Sequence, residues 1–326
     1  MAQTVLSVSG LKVHFPLKAG FLSGEKVTVR AIDGVSFDLK AGETLGIVGE
    51  SGCGKSTLGR AVLRLIDATQ GRVVWMGKDL FALTDDAMRE QRREMQIIFQ
   101  DPLASLDPRM SAGTIIGKPL RTLQPELSRE DIRDRVFETM RQVGLAPSMA
   151  DRYPHEFSGG ECQRIGIARA MVLRPKLIVC DEPVSALDVS IQAQIINLLM
   201  QLQRSFGLSL LFISHNLAVV RHISHRVMVL YLGKVMEIAE RDDFYARPLH
   251  PYSEALISAV PIADPRIERS RERVILQGSL PSSINPPSGC RFRTRCPRAT
   301  DLCAEAEPEL RDFGAGHIAA CHHIQT

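Results

Sequence analysis

The sequence predicts an α/β fold in which a mainly parallel sheet is covered by helices. Two short apolar runs, Leu45–Val48 and Leu177–Cys180, have the length and composition of strands that are buried on both faces. A third run, Leu208–Ile213, follows a predicted helix over Val189–Arg204. Strands that alternate with helices favour a parallel sheet with helices on both sides.

Half-buried strands and amphipathic helices complete the predicted pattern. Apolar and polar residues alternate from Leu6 to Phe15 and from Val35 to Leu39, as in strands with one buried face. Helices are predicted after a Gly-rich loop, from Ser128 and from Ser158. The first would bury Leu58, Val62, Leu65 and Ile66, and the second Ile132, Val136 and Met140.

Size and charge limit the function classes. The 326 residues, 44% hydrophobic and 24% charged, suit one large globular domain with a smaller appendage. Forty Lys and Arg against 37 Asp and Glu give a net charge of +3, so we expect no nucleic-acid partner. No apolar run approaches the roughly 18 residues that span a bilayer, and the start lacks the features of a signal peptide. We therefore expect a cytoplasmic chain that reaches the membrane through partner proteins.

The segment Gly49–Thr57 matches the phosphate-loop pattern G-x-x-x-x-G-K-[ST] between a strand and a helix. Its glycines allow the backbone N–H groups to turn towards phosphate oxygens. Lys55 would add a full charge at the β- and γ-phosphates, and Ser56 a hydroxyl for Mg²⁺. The alternative is a Gly-rich turn that matches by chance. The predicted ATP-binding residues of this loop are Gly49, Ser51, Gly52, Cys53 (interpreted as a small filler), Gly54, Lys55, Ser56 and Thr57.

Two adjacent carboxylates follow a predicted buried strand. Asp181 at the end of the strand would reach the magnesium ion, directly or through water. Glu182, one residue later, would orient and polarise the attacking water. Such pairs are common on protein surfaces, but their place behind a buried strand favours the functional interpretation.

The segment Phe157–Arg164 resembles the signature loop of ATP-binding cassette (ABC) proteins, L/F-S-G-G-Q. Here the loop is formed by Ser158, Gly159, Gly160 and Glu161, with Glu in place of the customary Gln. In that family the loop completes the ATP site of the opposite subunit. Glu161 would add a negative charge near the triphosphate or its rim. This charge would bear on how well the loop completes the ATP site of the partner.

Other elements of the family follow in order. Gln100 matches the residue that senses magnesium and the transmembrane partner, His215 the switch histidine at the γ-phosphate, and Phe15 the aromatic that stacks on adenine. A surface Gln, a core His and a core Phe are the structural alternatives. The loop that crosses the cassette interface is matched by Ser185, Ala186, Leu187 and Asp188, for which a helix N-cap is the alternative.

The segments Phe99–Met110, Pro183–Gln192 and Pro248–Leu256 resemble dipeptide and oligopeptide importer ATPases, most closely the second ATPase subunit of the dipeptide permease. The resemblance implies a P-loop NTPase cassette over residues 1–246, with an antiparallel β subdomain and a helical subdomain at about 101–172. A C-terminal extension over 247–326 would follow, with a Pro-rich surface linker from Pro261 to Gly289. It also implies a heterodimer with a homologous ATPase, two permease subunits, a substrate-binding protein, and a place on the cytoplasmic face of the bacterial inner membrane.

Four cysteines crowd the last 37 residues: Cys290, Cys296, Cys303 and Cys321. Four thiolates suit a tetrahedral zinc or an iron–sulfur cluster, and scattered structural cysteines are the alternative. The resemblance implies a [4Fe–4S] cluster. His317, His322 and His323 are candidate zinc ligands but are interpreted as a polar surface end. We expect the metal site to pin the Pro-rich segment against the cassette, and Cys296→Ser to lose the metal and loosen residues beyond Pro261 while nucleotide binding at Lys55 stays largely intact.

Several other functions compete with peptide import. Nickel importers share these features, so the transported solute is open between peptides and nickel or another small solute. Cassette proteins of translation or DNA repair usually contain two cassettes or a long coiled coil, and no internal repeat is found in this sequence. A non-hydrolysing half-site is disfavoured by Glu182 and His215, and an exporter motor by the importer-type tail.

Overall fold

The computed structural model describes residues 3–18, 26–261, 266, 274, 276 and 278–324. The chain divides into two compact units. The first unit comprises residues 1–3, 40–44 and 79–213. The second unit comprises residues 4–39, 45–78 and 214–326.

The first unit contains three parallel strands, β6 (Met95–Ile98), β7 (Leu177–Asp181) and β8 (Ser209–Ile213), with β7 in the middle. Every residue of β7 and β8 is buried, which confirms that the two apolar runs are core strands. Helix α6 (Val189–Phe206) lies between them in the sequence and is two residues longer than predicted. Gly207 ends it in the left-handed conformation that glycine favours.

The remaining helices of the first unit are α2 (Asp85–Gln91), α3 (Ala112–Leu123), α4 (Arg129–Gln142) and α5 (Gly159–Met171). Helix α4 begins after Ser128, whose hydroxyl accepts the Asp131 N–H while the Asp131 carboxylate accepts the Ser128 N–H. This capping box is the reason that the helix starts where the sequence predicts. Its buried residues include the predicted Ile132, Val136 and Met140.

The second unit contains strands of two sheets. In the first, the order is β2 (Lys26–Lys40), β1 (Thr4–Lys18), β4 (Gln70–Trp75) and β5 (Lys78–Asp79). In the second, β3 (Thr44–Val48) pairs in parallel with β9 (Arg226–Tyr231), which pairs in antiparallel with β10 (Lys234–Glu240), followed by β12 (Ile318–Ala319) and β11 (Arg311–Asp312). The end of the chain therefore adds two short strands to the sheet that contains β3.

The helices of the second unit include α1 (Lys55–Val62), α7 (Leu217–Ile223), α8 (Arg241–Ala246), α9 (Pro251–Ser258) and the one-turn α10 (Leu302–Glu305). The prediction that Leu65 and Ile66 extend the buried face of α1 is wrong. The helix ends at Val62, Arg64 has a positive φ of 49°, and Leu65 is 45% exposed. The sequence pattern also missed α9. Most of the predicted Pro261–Gly289 linker lies outside the described residues.

A fully buried carboxylate on β10 holds the extension in place. Glu237 accepts hydrogen bonds from the backbone N–H groups of Leu249 and His250, at 2.9 and 2.8 Å, and its Oε1 lies 2.7 Å from Nε2 of the buried His317. His250 in turn caps α9, because its Nδ1 accepts the Tyr252 N–H, and burial lowers the pKa of His250 to about 4. Glu237 thus connects β10 to both α9 and β12.

Replacing Glu237 with Ala should cost about 3–5 kcal/mol of unfolding free energy, because it leaves buried donors without an acceptor. Urea denaturation measures this loss. Glu240→Ala, at the exposed end of the same strand, is the control and should stay within about 0.5 kcal/mol of the unmodified chain. Equal effects of the two substitutions would contradict the anchoring role of Glu237.

In the described part of the chain, the helices are all too short or too polar to cross a bilayer.

Candidate functional site

The loop between β3 and α1 has the backbone of a phosphate-binding loop. Gly49 and Gly54 have φ values of 152° and 106°, which favour glycine. A Cβ atom would lie 2.2 Å from the Leu230 carbonyl oxygen at Gly49 and 2.3 Å from the Ala31 carbonyl oxygen at Gly54. Both positions therefore require glycine for steric reasons as well.

Lys55 lies buried at the centre of this loop. Its Nζ donates to the carbonyl oxygens of Gly49 and Glu50, at 2.8 and 3.0 Å, so the loop curls around a full positive charge. Helix α1 begins at Lys55 without a side-chain cap. The first N–H groups of a helix form an anion site when no side chain takes them. Ser56 and Thr57 lie in the same first turn, and Ser51 is exposed on the loop.

Cys53 is enclosed by the loop and is only 1% exposed. Burial raises the pKa of its thiol, which keeps the sulfur protonated and unreactive. This environment agrees with its interpretation as a small filler.

The carboxylate pair follows β7 in the first unit. Asp181 is the last residue of the strand and is buried. Glu182 has a φ of 47°, a strained value for a residue other than glycine, and its Oε2 accepts a hydrogen bond from Gln100 Nε2 at 3.2 Å. The structure therefore brings together two side chains, 82 positions apart, for which the sequence predicts roles at the attacking water and at the magnesium ion.

The signature loop forms the start of α5. Ser158 is the N-cap, its hydroxyl accepts the Glu161 N–H at 3.3 Å, and Glu161 Oε2 accepts the Ser158 N–H at 2.9 Å. Hydrogen bonds from Ser158 lower the pKa of Glu161. The Glu that replaces the customary Gln thus serves in a capping box, a position that accepts Glu or Gln.

The glycines of this loop pack against the loop that follows Glu182 and against the first turn of α6. A Cβ atom on Gly160 would lie 2.8 Å from Ile191 Cγ2, and one on Gly159 would lie 3.6 Å from Leu187 Cδ2. Asp188 caps α6 by accepting the Ile191 N–H at 3.0 Å. Asp188 therefore does cap a helix, as the structural alternative for this residue proposed. Ser185 and Ala186 are exposed in the loop just before Asp188.

The capping box gives a stability prediction. Replacing Ser158 with Ala should cost about 1 kcal/mol, because the start of α5 loses its N-cap. Glu161→Gln should stay within about 0.5 kcal/mol, since Gln can accept the same Ser158 N–H. Urea denaturation of both variants checks this. A loss with Glu161→Gln as large as that with Ser158→Ala would contradict the capping assignment.

Two further predicted site residues lie in the second unit. His215 is exposed in the segment before α7. The next residue, Asn216, caps that helix with its side chain. Phe15 lies on β1 and is 40% exposed, so it is not a core residue. Its neighbour His14 contacts Asp33, with 3.1 Å between Nε2 and Oδ1.

The four tail cysteines lie near one another in the second unit. Cys290 N donates to the Cys303 carbonyl at 2.8 Å. Burial, with smaller contributions from the nearby Cys303, Cys296 and Cys321 thiols, raises the pKa of Cys290 to about 11. Within the described ranges, however, no three His, Cys, Asp or Glu side chains are placed to hold a metal ion.

One of the three tail histidines differs from its predicted role. His317 is buried against Glu237, so its interpretation as part of a polar surface end is wrong. His322 Nε2 lies 3.0 Å from the Ala306 carbonyl oxygen, and His323 Nε2 lies 3.5 Å from Cys303 Sγ.

Sequence reasoning missed three residues around the phosphate loop. Arg295 Nη1 donates to both carboxylate oxygens of Glu50, at 2.8 and 3.0 Å. The Tyr252 hydroxyl accepts the Glu50 N–H at 2.9 Å. No local pattern could reveal these contacts, because the partners are 245 and 202 positions apart.

A phosphate loop before a helix, a carboxylate pair after a buried strand and a capped signature helix together define a P-loop cassette ATPase. Residues 32–185 match the ABC transporter family, and residues 236–303 match the oligopeptide/dipeptide transporter C-terminal region. The chain belongs to the ABC transporter family, in the group of ATP-binding proteins with this C-terminal region, and it binds and hydrolyses ATP.

The curated relatives cover almost the whole chain. The oligopeptide transport ATP-binding protein OppF of Salmonella typhimurium is 60% identical over 322 residues, which are 98% of this chain and 96% of the relative. AppF of Bacillus subtilis is 52% identical over 321 residues, 98% of this chain and 97% of the relative.

Solved cassettes share the fold. The dimeric cassette MJ0796, bound to ADP and phosphate after hydrolysis, matches with a TM-score of 0.64 and 28% identity, over 72% of this chain and 98% of that chain. CbiO1 of Clostridium perfringens, part of the transporter complex cbiONQ, matches with a TM-score of 0.63 and 25% identity, over 75% and 91% of the two chains. The predicted fold class is confirmed.

Proposed function

We propose that this chain powers the import of di- and oligopeptides through a membrane permease. The observation that carries the proposal is the full-length similarity to proteins named for oligopeptide transport, joined to the matching C-terminal region. The same similarity favours peptides over nickel. The cassette would occupy residues 1–246, with its helical subdomain at about 101–172, and the extension residues 247–326.

The chain's own residues would divide the work of phosphoryl transfer. Lys55 and the first N–H groups of α1 would bind the β- and γ-phosphates, and Ser56 and Asp181 would hold Mg²⁺, both oxygen donors that suit this ion. Mg²⁺ neutralises developing phosphate charge when it is bound. Phe15, with its exposed ring, would stack on adenine. Ser51, Gly52, Cys53 and Thr57 would complete the loop around the phosphates.

Glu182 would orient and deprotonate the attacking water. The observed hydrogen bond from Gln100 holds its carboxylate from one side, which fixes the direction of the remaining lone pairs. His215, exposed beyond β8, would contact the γ-phosphate. Positioning, charge neutralisation and an oriented water account for most of the catalysis of phosphoryl transfer.

A second cassette would complete the site. Ser158, Gly159, Gly160 and Glu161 would face the nucleotide of the partner, and the loop Ser185–Asp188 would cross the interface. The dimeric cassettes among the solved relatives support this arrangement. We propose a homologous ATPase as partner, two permease subunits and an indirect role for a substrate-binding protein, at the cytoplasmic face of the bacterial cell membrane.

The four tail cysteines are proposed to hold a structural [4Fe–4S] cluster, with zinc as the alternative. The support for this proposal is the donor chemistry, because one tail segment supplies four cysteines, three of them buried, and soft thiolates are the ligands of such a centre. The cluster would supply folding energy to a segment with little core, and Arg291, Arg293, Arg295 and Arg298 would offset its negative charge.

Metal analysis of anaerobically purified chain tests this site. About four iron and four sulfide per chain are expected, lost in Cys296→Ser and kept in Cys162→Ala, a cysteine outside the tail. Stoichiometric zinc without iron would show that the four cysteines hold zinc and not an iron–sulfur cluster. A metal-free tail in the unmodified protein would exclude both.

Uptake into vesicles tests the transported class. The chain, its partner ATPase and the permeases are reconstituted with the binding protein outside and ATP inside. A labelled tetrapeptide should accumulate in an ATP-dependent manner, and Ni²⁺ should not. ATP-dependent Ni²⁺ uptake without peptide uptake would contradict the proposal.

A further inference from the structure

The C-terminal extension contacts the phosphate loop itself. Glu50 is the second residue of that loop, between Gly49 and the turn that leads to Lys55. Its carboxylate accepts hydrogen bonds from Arg295 of the tail. Its backbone N–H donates to the hydroxyl of Tyr252 in α9. Both partners belong to the extension.

The pair between Arg295 and Glu50 is partly withdrawn from water. The Arg295 side chain is 9% exposed and that of Glu50 is 28% exposed. One guanidinium nitrogen donates to both carboxylate oxygens, so the pair fixes the position of the carboxylate and also compensates its charge. A pair of this kind restrains a loop more than an exposed surface pair does.

Glu50 is also linked to the lysine of the loop. The Glu50 carbonyl oxygen accepts a hydrogen bond from Lys55 Nζ, so the residue that Arg295 and Tyr252 hold forms part of the cradle of that ammonium group. Displacement of Glu50 would therefore displace an acceptor of the charge that meets the phosphates.

The contact between the tail and Glu50 is supported by a cluster of packed aromatic rings. The rings of Tyr252 and Phe292 lie 5.3 Å apart, and both pack on Tyr231 of β9. Arg291, next to Phe292 in the tail, pairs with Asp33 of β2 and donates to the Leu232 carbonyl. Arg295 is thus presented from a segment fixed at several points.

We propose that Arg295 and Tyr252 are positioning residues that hold Glu50 and keep the phosphate loop in its nucleotide-binding shape. The inference rests on the proposed use of this loop for nucleotide. Loss of the tail's fold is then expected to weaken nucleotide binding, in contrast to the independence expected from the sequence.

Titration of the full-length chain with MgADP tests the proposal. Arg295→Met should weaken binding about tenfold, because the loop then loses the partly buried charge partner that holds Glu50. Arg293→Met is the matched control, because Arg293 lies in the same tail segment and its side chain donates to Ser288, away from Glu50. The control should bind as the unmodified chain does.

Two more variants separate positioning from unfolding of the tail. Tyr252→Phe removes one hydroxyl and should weaken MgADP binding severalfold with little change in thermal stability. In the double variant Arg295→Met/Glu50→Ala, the two losses should not add, since both remove the same pair. In the assembled ATPase, Arg295→Met should raise KM for ATP with kcat within about twofold, the pattern of lost binding.

The binding measurements distinguish failure of the positioning role from failure of the proposed function. Equal affinities of Arg295→Met and Arg293→Met, or additive losses in the double variant, would overturn the positioning role. Failure of the unmodified chain to bind MgADP would instead overturn the proposed function of the loop.

Discussion

Replacing Glu182 with Gln should reduce ATP turnover of the assembled transporter by about 10²- to 10⁴-fold, the range for loss of a general base. The amide cannot take a proton from water, but its oxygen can still accept the hydrogen bond from Gln100. Nucleotide should therefore remain bound while hydrolysis stops. Steady-state phosphate release and equilibrium nucleotide binding, measured on the same preparation, separate the two effects.

Glu126→Gln is the control for this substitution, because Glu126 is an exposed carboxylate of the same unit. It should hydrolyse ATP at the unmodified rate. Hydrolysis by Glu182→Gln at that same rate would show that Glu182 is not the base.

Replacing Lys55 with Met should produce the opposite pattern and weaken nucleotide binding by about 10²-fold or more, because the buried charge that we propose for phosphate binding has no substitute in the loop. Its hydrogen bonds to Gly49 and Glu50 are also lost, so the loop should be less ordered. Titration with MgADP measures the affinity.

Lys78→Met, an exposed lysine of the same unit, should bind MgADP normally. If Lys55→Met bound MgADP as tightly as Lys78→Met does, the loop would not be the phosphate site.

Local patterns predicted those parts of the fold that local chemistry determines. The buried strands β7 and β8 are short apolar runs, and α4 starts at a side-chain cap that the sequence displays. The role of Glu161 was also present in the sequence as the S-x-x-E pattern from Ser158. In the structure the Glu161 carboxylate accepts the Ser158 N–H at the start of its own helix.

The rest depends on partners that are distant in the sequence. Helix α9 is fixed by Glu237, a residue of another element, and Pro251 at its first position is the kind of short local signal that does not by itself predict a helix. Burial of His317 follows from the same carboxylate. The contact between Arg295 and Glu50 joins residues 245 positions apart, so only the folded chain reveals it.

The central claim is that this cassette hydrolyses ATP in a site that a second cassette completes. The most direct test is the steady-state ATPase rate of the isolated chain, shown to be monomeric by light scattering, against the rate after addition of the partner ATPase and permeases. The isolated monomer should be slow, because Lys55 and Glu182 lack the signature loop of another cassette, and the assembled rate should be at least tenfold higher. A monomer that hydrolyses ATP at the assembled rate would contradict the claim.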